Sequence, residues 1–346
     1  MYVGSGSRNE DLATSGTSYL TQKMMLRGTQ SKSKSEIYEE IENMGAQYDA
    51  RSEREYTRFT LAITKDQAPR AVQMLGDMIS NSAFHSAELE MLKDEVSAEH
   101  EANHTRFTET LIENVHFNSF REHMIGQPIK GDRDLTHTLT LDNVRDYYNA
   151  NYYGDNIVVV ATGDVNHDEI VAAVDHHFSS LPKSTDIQAK NSEKPIYIPA
   201  LLMMRDDEMV NSNVGVFYDA PSVKHEDFHS FVLLQSMFGT YKIDENAGHL
   251  NDTHKQYNSM HSLLGALPDV TQQTCHYMPY SDCGIFGNTF FGNEVFTRQM
   301  NYAGVCLPTI YSHYLNDVEV VRGRNKLYNQ LLTCSGTRDT NELIGW

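Results

Sequence analysis

The residues most able to do chemistry lie in a short stretch, Ala98–His104, which contains the pattern His-Glu-x-x-His. On a helix, the imidazoles of His100 and His104 lie one turn apart, where they can hold zinc while Glu101 acts as a general base toward water. Such a site needs a third protein ligand, and Glu122 is the nearest candidate, with nothing else in the sequence to support it. The pattern therefore suggests a hydrolytic metal site but does not complete one.

The apolar residues around this pattern predict that the histidines face inward on a helix. At about 100° per residue, His100 falls on one stripe with several apolar residues, and His104 lies beside it. The stripe consists of Leu89, Val96, Phe107 and Leu111. Inward-facing histidines are commonly core or interface residues with satisfied hydrogen bonds, and this chain has 16 histidines in which the pattern can arise by chance. We interpret it as a coincidence and keep a metal site at His100 and His104 as the alternative.

The composition restricts the classes of partner. The formal net charge is −19, from 28 basic and 47 acidic side chains, which argues against nucleic-acid phosphates because they require clustered Lys and Arg. No apolar run reaches the roughly 18 residues that span a bilayer, so we expect any membrane association to be peripheral or to run through partner proteins. The cysteines lack Cys-x-x-Cys spacing and are expected to be buried thiols in a reducing compartment. They are Cys275, Cys283, Cys306 and Cys334.

The middle of the chain contains a clear boundary signal. Gly154–Val165 reads as a β-strand because it holds a run of β-branched apolar residues closed by Gly-Asp. Asn166 is predicted to cap the amphipathic helix that follows. A polar segment bracketed by prolines comes next, and it predicts a linker at 183–196 between an N-terminal domain, 1–182, and a C-terminal domain, 197–346.

The second half repeats the order of the first, which indicates an internal duplication. A pair of strands is predicted in "AQYDARSEREYTRFTLAIT" and again in "TQQTCHYMPYSDCGIFGNTFFG", each followed by helices. Blocks of strand pairs and helices predict an α+β fold made twice, each copy a mainly antiparallel sheet packed against helices. The second copy ends before a counterpart of Gly154–Val165, so we expect a chain that is truncated at both ends and lacks sheet edges there.

Four blocks of the sequence resemble a known family. They are "GSGSRNED", "LRGT", "IYEEIENMGAQYDARSEREYTRF" and "GQPIKGDRD". They are similar to the corresponding blocks of the insulinase-type, or inverted-zincin, peptidases. Within that family they are most similar to the branch that contains the mitochondrial processing peptidase β-subunit and core protein 1 of ubiquinol–cytochrome c reductase. The resemblance runs across nearly the whole chain and is weaker in the second half.

The resemblance implies where a zinc site would lie and that it is degenerate. Active members carry His-x-x-Glu-His on a helix, with a further glutamate ligand downstream. The matching positions hold Tyr19 and Lys23 in place of the histidine ligands and Gln22 in place of the catalytic glutamate, while Glu99 retains the downstream carboxylate. A phenol is a poor zinc ligand at neutral pH, a lysine ammonium has no lone pair, and an amide cannot accept a proton from water. We therefore expect no metal, no catalytic residue and an ion pair between Lys23 and Glu99.

The same resemblance implies a function and its partners. It implies a non-catalytic structural core subunit of mitochondrial respiratory complex III, without cofactors of its own. It would lie on the matrix side of the inner membrane as a peripheral protein. The implied partners are an α-type or core protein 2 homologue and the cytochrome b, cytochrome c1 and Rieske iron–sulfur subunits. The alternatives are an inactive subunit of the processing peptidase and an active zinc metallopeptidase that uses His100 and His104.

Overall fold

A computed structural model describes residues 1–102, 107–185, 193–204, 211–242, 270–293, 309, 313 and 315–335. The chain forms two compact units. The first comprises the described residues of 1–104 and 120–193, and the second comprises those of 105–119 and 194–335. None of the described helices is both long enough and apolar enough to cross a bilayer.

The described helices and strands alternate in blocks, as an α+β fold requires. The strands are β1 (Tyr2–Val3), β2 (Gln47–Ser52), β3 (Thr57–Ala62), β4 (Ile157–Val158), β5 (Asn211–Asp219), β6 (Thr240–Lys242), β7 (Val270–Pro279) and β8 (Gly284–Asn293). The helices are α1 (Thr17–Met24), α2 (Lys34–Asn43), α3 (Ala68–Ser80), α4 (Ser86–Ala102), α5 (Phe107–Phe120), α6 (Leu141–Asn151), α7 (His167–His177), α8 (Phe228–Phe238) and α9 (Asp317–Ser335).

The first unit contains an antiparallel sheet in the order β2-β3-β1-β4. Helix α2 begins with a capping box, in which the Ser33 hydroxyl accepts from the Glu36 N–H and the Glu36 carboxylate accepts from the Ser33 N–H. Val3, Phe59 and Ile79 form part of a core cluster of this unit. A separate cluster joins α1 to α4, which fixes the position of the two helices that carry the degenerate zinc residues.

The second unit contains a sheet in the order β5-β8-β7-β6, also antiparallel. One face of this sheet packs against α8 through a buried aromatic and apolar cluster that includes Phe238, Phe286 and Phe290. Cys275 and Cys283 are buried free thiols. The predicted α+β architecture, with two similar units each built on an antiparallel sheet, is confirmed.

Two elements differ from their predictions. The predicted strand Gly154–Val165 is a strand only at Ile157–Val158, because β1 is its sole partner in the described sheet and pairs with two residues. The predicted apolar stripe from Leu89 to Leu111 does not run along one described helix, since α4 ends at Ala102 and α5 begins at Phe107.

The division of the chain into domains at residue 182 stays a prediction. One segment that precedes residue 182 is grouped with the second compact unit rather than with the first. Most of α5 is grouped with the second unit, although it precedes residue 182. The contacts of α5 explain this grouping. His116 on α5 bonds through Nε2 to the Tyr280 hydroxyl at 2.7 Å, and the Leu111 side chain lies so close to Gly215 that a Cβ there would meet it at 2.5 Å.

Candidate functional site

Helix α1 carries the residues that match the zinc motif, and the buried carboxyl group of Glu10 holds its N-terminus. The Glu10 side chain is 1% exposed and accepts hydrogen bonds from the backbone N–H groups of Gly16, at 2.8 Å, and Ser18, at 2.5 Å. These N–H groups belong to the first turn, where an α-helix leaves its donors without partners inside the helix. Glu10 therefore stabilises the start of α1.

Burial makes the ionised form of this carboxyl costly. Desolvation raises the pKa of Glu10 to about 8, against the opposing effect of its hydrogen bonds with Ser18 and Gly16. Since the folded pKa lies above the ordinary value of 4.5, folding favours the protonated carboxyl. This contribution to stability is fully present below the unfolded pKa and is lost as the pH rises through the folded one.

We expect the variant Glu10→Gln to change the pH dependence of unfolding. The difference in unfolding free energy, variant minus wild type, should rise between about pH 4.5 and pH 8 by up to about 4 kcal/mol, because the amide does not ionise. Any loss from the amide NH₂ facing a backbone donor is independent of pH and so does not alter this slope. Urea denaturation at a series of pH values measures it.

The matched control is Glu36→Gln at the exposed start of α2. Hydrogen bonds from Ser33 hold the pKa of Glu36 below its usual value, so its contribution is present above the unfolded pKa and is lost as the pH falls. The control should therefore give a slope of opposite sign at acidic pH, below about pH 4.5, and almost none towards pH 8. Parallel stability curves for Glu10→Gln and wild type would contradict the proposed titration.

The packing of α1 on α4 brings the motif residues together. Leu20 and Met24 of α1 are buried against Leu89, Leu92 and Val96 of α4. Because residues four apart share a helix face, Tyr19 and Lys23 lie together beside this apolar stripe. The Tyr19 hydroxyl donates to Glu99 Oε2 at 2.6 Å, and Lys23 Nζ forms an ion pair with Glu99 Oε1.

The predicted contact between Lys23 and Glu99 is thus confirmed, and it has further partners. Lys23 Nζ also lies 4.9 Å from the centre of the Tyr19 ring, a cation–π distance. Lys130 brings a second ammonium to within 3.7 Å of Glu99 Oε2. The single carboxylate is therefore engaged by one hydroxyl and two cations.

The close approach of two glycines, Gly16 and Gly131, brings the neighbouring Lys130 near Glu99. Gly16 and Gly131 both have positive φ, at 97° and 83°. A Cβ on Gly131 would lie 2.5 Å from both the Gly16 Cα and the Ser15 carbonyl oxygen. The loop that carries Lys130 therefore rests directly on the backbone at the start of α1.

The charges in this cluster alter the titration of their neighbours. Burial alone would raise the pKa of Glu99, but hydrogen bonds from Lys23 and Tyr19 and the charges of Lys23 and Lys130 outweigh it and hold that pKa below its usual value. Burial and the nearby Lys130 lower the pKa of His100. Glu99 is therefore ionised and His100 favours the neutral form at neutral pH.

Comparison with known proteins identifies the family of this chain. The model described as Insulinase (Peptidase family M16) matches residues 1–133, and the one described as Peptidase M16 inactive domain matches residues 138–294. Together they cover well over half of the chain. The chain belongs to the insulinase (M16) peptidase family.

Individual M16 relatives carry two kinds of name. The mitochondrial-processing peptidase subunit beta of Neurospora crassa is 26% identical over all of this chain and 72% of its own length. Cytochrome b-c1 complex subunit 1 of Bos taurus is 23% identical over all of this chain and 71% of its own length. A structure of complex III2 from Candida albicans covers 96% of this chain and 75% of its own, with a TM-score of 0.80 and 16% identity, which shows the fold alone.

The chain spans only part of these relatives. It covers between 61% and 72% of the full length of the curated proteins that it matches. Both kinds of name occur among them, so membership of the M16 family does not by itself distinguish a processing peptidase from a respiratory-complex subunit.

The residues at the M16 motif do not fit zinc. Zinc ligands must present a free lone pair, and the Lys23 ammonium has none. The Tyr19 hydroxyl donates a hydrogen bond to Glu99 and therefore keeps its proton, whereas a metal-bound phenolate would have lost it. Gln22, at the position of the catalytic glutamate, is 4% exposed and carries an amide that cannot act as a base. Glu99 is the one remaining metal-type ligand of the motif.

The alternative pattern on α4 is described only in part. His100 is half-buried and its Nε2 is buried without a hydrogen-bond partner in the described residues, whereas Glu101 is exposed and paired with Arg133 at 2.9 Å. His104 lies outside the described residues. Within the described ranges, no group of three or more His, Cys, Asp or Glu side chains is placed to hold a metal ion.

Sequence reasoning missed two residues of this site. Lys130 lies within the "GQPIKGDRD" block, yet only the fold shows that this block reaches Glu99. Glu10 lies within the "GSGSRNED" block, and the signal that could have suggested a cap is an acid a few residues before a Ser- and Gly-rich helix start. In the sequence, both residues belong to blocks that show a family resemblance but give no sign of a contact with α1 or Glu99.

Proposed function

We propose that this chain is a non-catalytic structural subunit of the core protein 1 type, part of mitochondrial respiratory complex III. The observation that carries the proposal is the Lys23 ammonium on Glu99, at the position where an active M16 peptidase would hold its metal. A fixed positive charge there satisfies the remaining carboxylate and repels a divalent cation. The chain thus has the fold of an M16 peptidase without the residues that hydrolysis requires.

The relatives support this role and suggest the partners. A cytochrome b-c1 complex subunit 1 aligns with the whole of this chain. In line with the family resemblance of its sequence, we propose a peripheral location on the matrix side of the mitochondrial inner membrane. The proposed partners are an α-type or core protein 2 homologue of the same fold and the cytochrome b, cytochrome c1 and Rieske subunits.

A second candidate is an inactive subunit of the mitochondrial processing peptidase. It is favoured by the relative from Neurospora crassa, whose name is the β-subunit of that enzyme. In this role the chain would support catalysis by a partner of the same fold and would contribute no zinc ligand of its own. The two candidates share the degenerate motif and differ in their membrane partners.

Isolation of the affinity-tagged chain from detergent-solubilised mitochondria separates these roles. A complex III subunit should co-purify with b-type and c-type haem in fixed proportion to the chain, measured from reduced-minus-oxidised spectra. Recovery without haem, together with a same-fold partner and cleavage of presequence peptides, would favour the second candidate. Stoichiometric zinc in the isolated chain, with cleavage lost on His100→Ala, would overturn both and favour a metallopeptidase.

A further inference from the structure

Glu193 ends the segment 120–193 of the first unit, and its carbonyl oxygen accepts two hydrogen bonds. Arg8 Nη2 lies 3.1 Å from this oxygen, and His123 Nε2 lies 3.0 Å from it. The two donors are 185 and 70 residues away along the sequence. The fold therefore fastens one point of the connecting chain to two distant parts of the same unit.

The neighbours of the His123 ring determine that Nε2 is the donor. Its Nδ1 accepts a hydrogen bond from the backbone N–H of Ile125 at 3.1 Å and so caps the short 3₁₀ turn Met124–Gly126. Because a backbone N–H can only donate, Nδ1 carries a lone pair and the ring proton is on Nε2. The neutral ring thus has one nitrogen that holds its own turn and one that is directed at the Glu193 carbonyl.

The side chain of Arg8 is held in place by a second partner. Arg8 is 8% exposed, and its Nη1 donates to Glu55 Oε1 at 2.7 Å, which balances its charge. The guanidinium is planar and rigid, so the ion pair at Nη1 sets the direction in which Nη2 meets the Glu193 carbonyl.

Arg54 joins the two donors in one frame. Its backbone carbonyl accepts from the Arg8 N–H at 2.8 Å, and its Nε donates to the Ile125 carbonyl at 2.8 Å. Arg54 and Ile125 are 4% and 0% exposed. Both donors therefore rest on buried residues, whereas Glu193 is exposed and is held by hydrogen bonds rather than by burial.

We propose that Arg8 and His123 form a latch that holds the connecting chain to the first unit through the Glu193 carbonyl. A hydrogen bond from a cation is stronger than one between neutral groups, and two donors on one oxygen hold it from two directions. In the described part of the chain, none of the apolar clusters of the first unit contains Glu193. The latch can therefore open locally while the core of the unit stays intact.

The state of the latch determines whether the bond between Glu193 and Lys194 can be cleaved. An endopeptidase that cuts after glutamate must place the Glu193 carbonyl oxygen among its own donors, the oxyanion hole. That oxygen is not available while Arg8 and His123 donate to it. Cleavage should therefore follow the fraction of time for which the latch is open.

Two variants of His123 in the purified full chain separate its two hydrogen bonds. In His123→Asn the amide oxygen replaces Nδ1 as the cap, but the short side chain brings no donor to the Glu193 carbonyl. In His123→Gln the amide nitrogen replaces Nε2 as the donor, but the cap is lost. We expect cleavage after Glu193 to be about three- to tenfold faster than in wild type for His123→Asn, the effect of one lost hydrogen bond, and close to wild type for His123→Gln. Mass spectrometry of the fragments during limited digestion measures these rates.

The matched control is His137→Asn, because His137 is an exposed histidine that bonds to Ser97. It should leave the rate of cleavage after Glu193 unchanged. Equal rates in wild type and His123→Asn would overturn the latch, and so would an equal increase in both His123 variants, because the cap would then be responsible. Faster cleavage after every glutamate in His123→Asn would also overturn it, since His123 would then stabilise the whole unit rather than one carbonyl. The readout belongs to the isolated chain, so this proposal and the role in complex III can fail separately.

Discussion

Replacing Gly131 by alanine should lower the free energy of unfolding by about 3 kcal/mol. A left-handed backbone costs an alanine about 1 to 2 kcal/mol, and a Cβ at Gly131 would also lie 2.5 Å from the Gly16 Cα and from the Ser15 carbonyl oxygen. Both neighbours are backbone atoms, which cannot rotate away. Urea denaturation followed by circular dichroism measures the loss.

Gly163→Ala is the matched control for this prediction. Gly163 also has a positive φ, 108°, but nothing lies within 4 Å of a Cβ placed there. Its variant should show only the cost of the left-handed backbone, about 1 to 2 kcal/mol. Equal losses in the two variants would mean that the close approach of Gly131 to Gly16 contributes nothing to stability.

Much of the fold follows from local patterns in the sequence. The predicted strand pairs are the antiparallel hairpins β2–β3 and β7–β8, and Asn166 caps α7 by accepting from the Asp168 N–H at 3.1 Å. Alternation of side chains and the preference of Asn for helix starts are properties of a few neighbouring residues, so a single sequence reveals them.

The strand predicted at Gly154–Val165 shows that a local pattern alone does not determine the length of a strand. Its composition is that of a buried strand, yet a strand requires hydrogen bonds to a neighbour, and β1 supplies a neighbour for only two of its residues. The presence of such a neighbour depends on residues distant in sequence. For the same reason, the contact of Gly16 with Gly131 could not be predicted, because each glycine taken alone indicates only a turn.

The sequence identified the residues of the candidate site but not most of the contacts between them. The family resemblance located Tyr19, Gln22, Lys23 and Glu99, and the chemistry of a phenol and an ammonium predicted the contact between Lys23 and Glu99. The hydrogen bond from the Tyr19 hydroxyl and the second cation from Lys130 depend on how α1, α4 and the Lys130 loop pack. These contacts determine how firmly the carboxylate is engaged.

Restoring the motif should convert this cluster into a metal site. The triple variant Tyr19→His, Gln22→Glu and Lys23→His replaces two side chains that already converge on the Glu99 carboxylate with imidazoles one helical turn apart. Two histidines and one glutamate are sufficient ligands for a catalytic-type zinc site. We expect one zinc ion per chain, measured by inductively coupled plasma mass spectrometry after dialysis, where the wild type should retain none.

Two further variants determine whether zinc binds through this geometry. Adding Glu99→Gln to the triple variant should weaken zinc binding by about 100-fold or more, because the third ligand is lost. Adding Lys130→Gln should strengthen it by about tenfold or more, since the ammonium that now lies 3.7 Å from Glu99 Oε2 would no longer repel the metal. Competitive titration with a chromophoric chelator measures both changes. Zinc uptake that is unaffected by Glu99→Gln would place the metal elsewhere, and the most direct candidate would then be the pattern at His100 and His104.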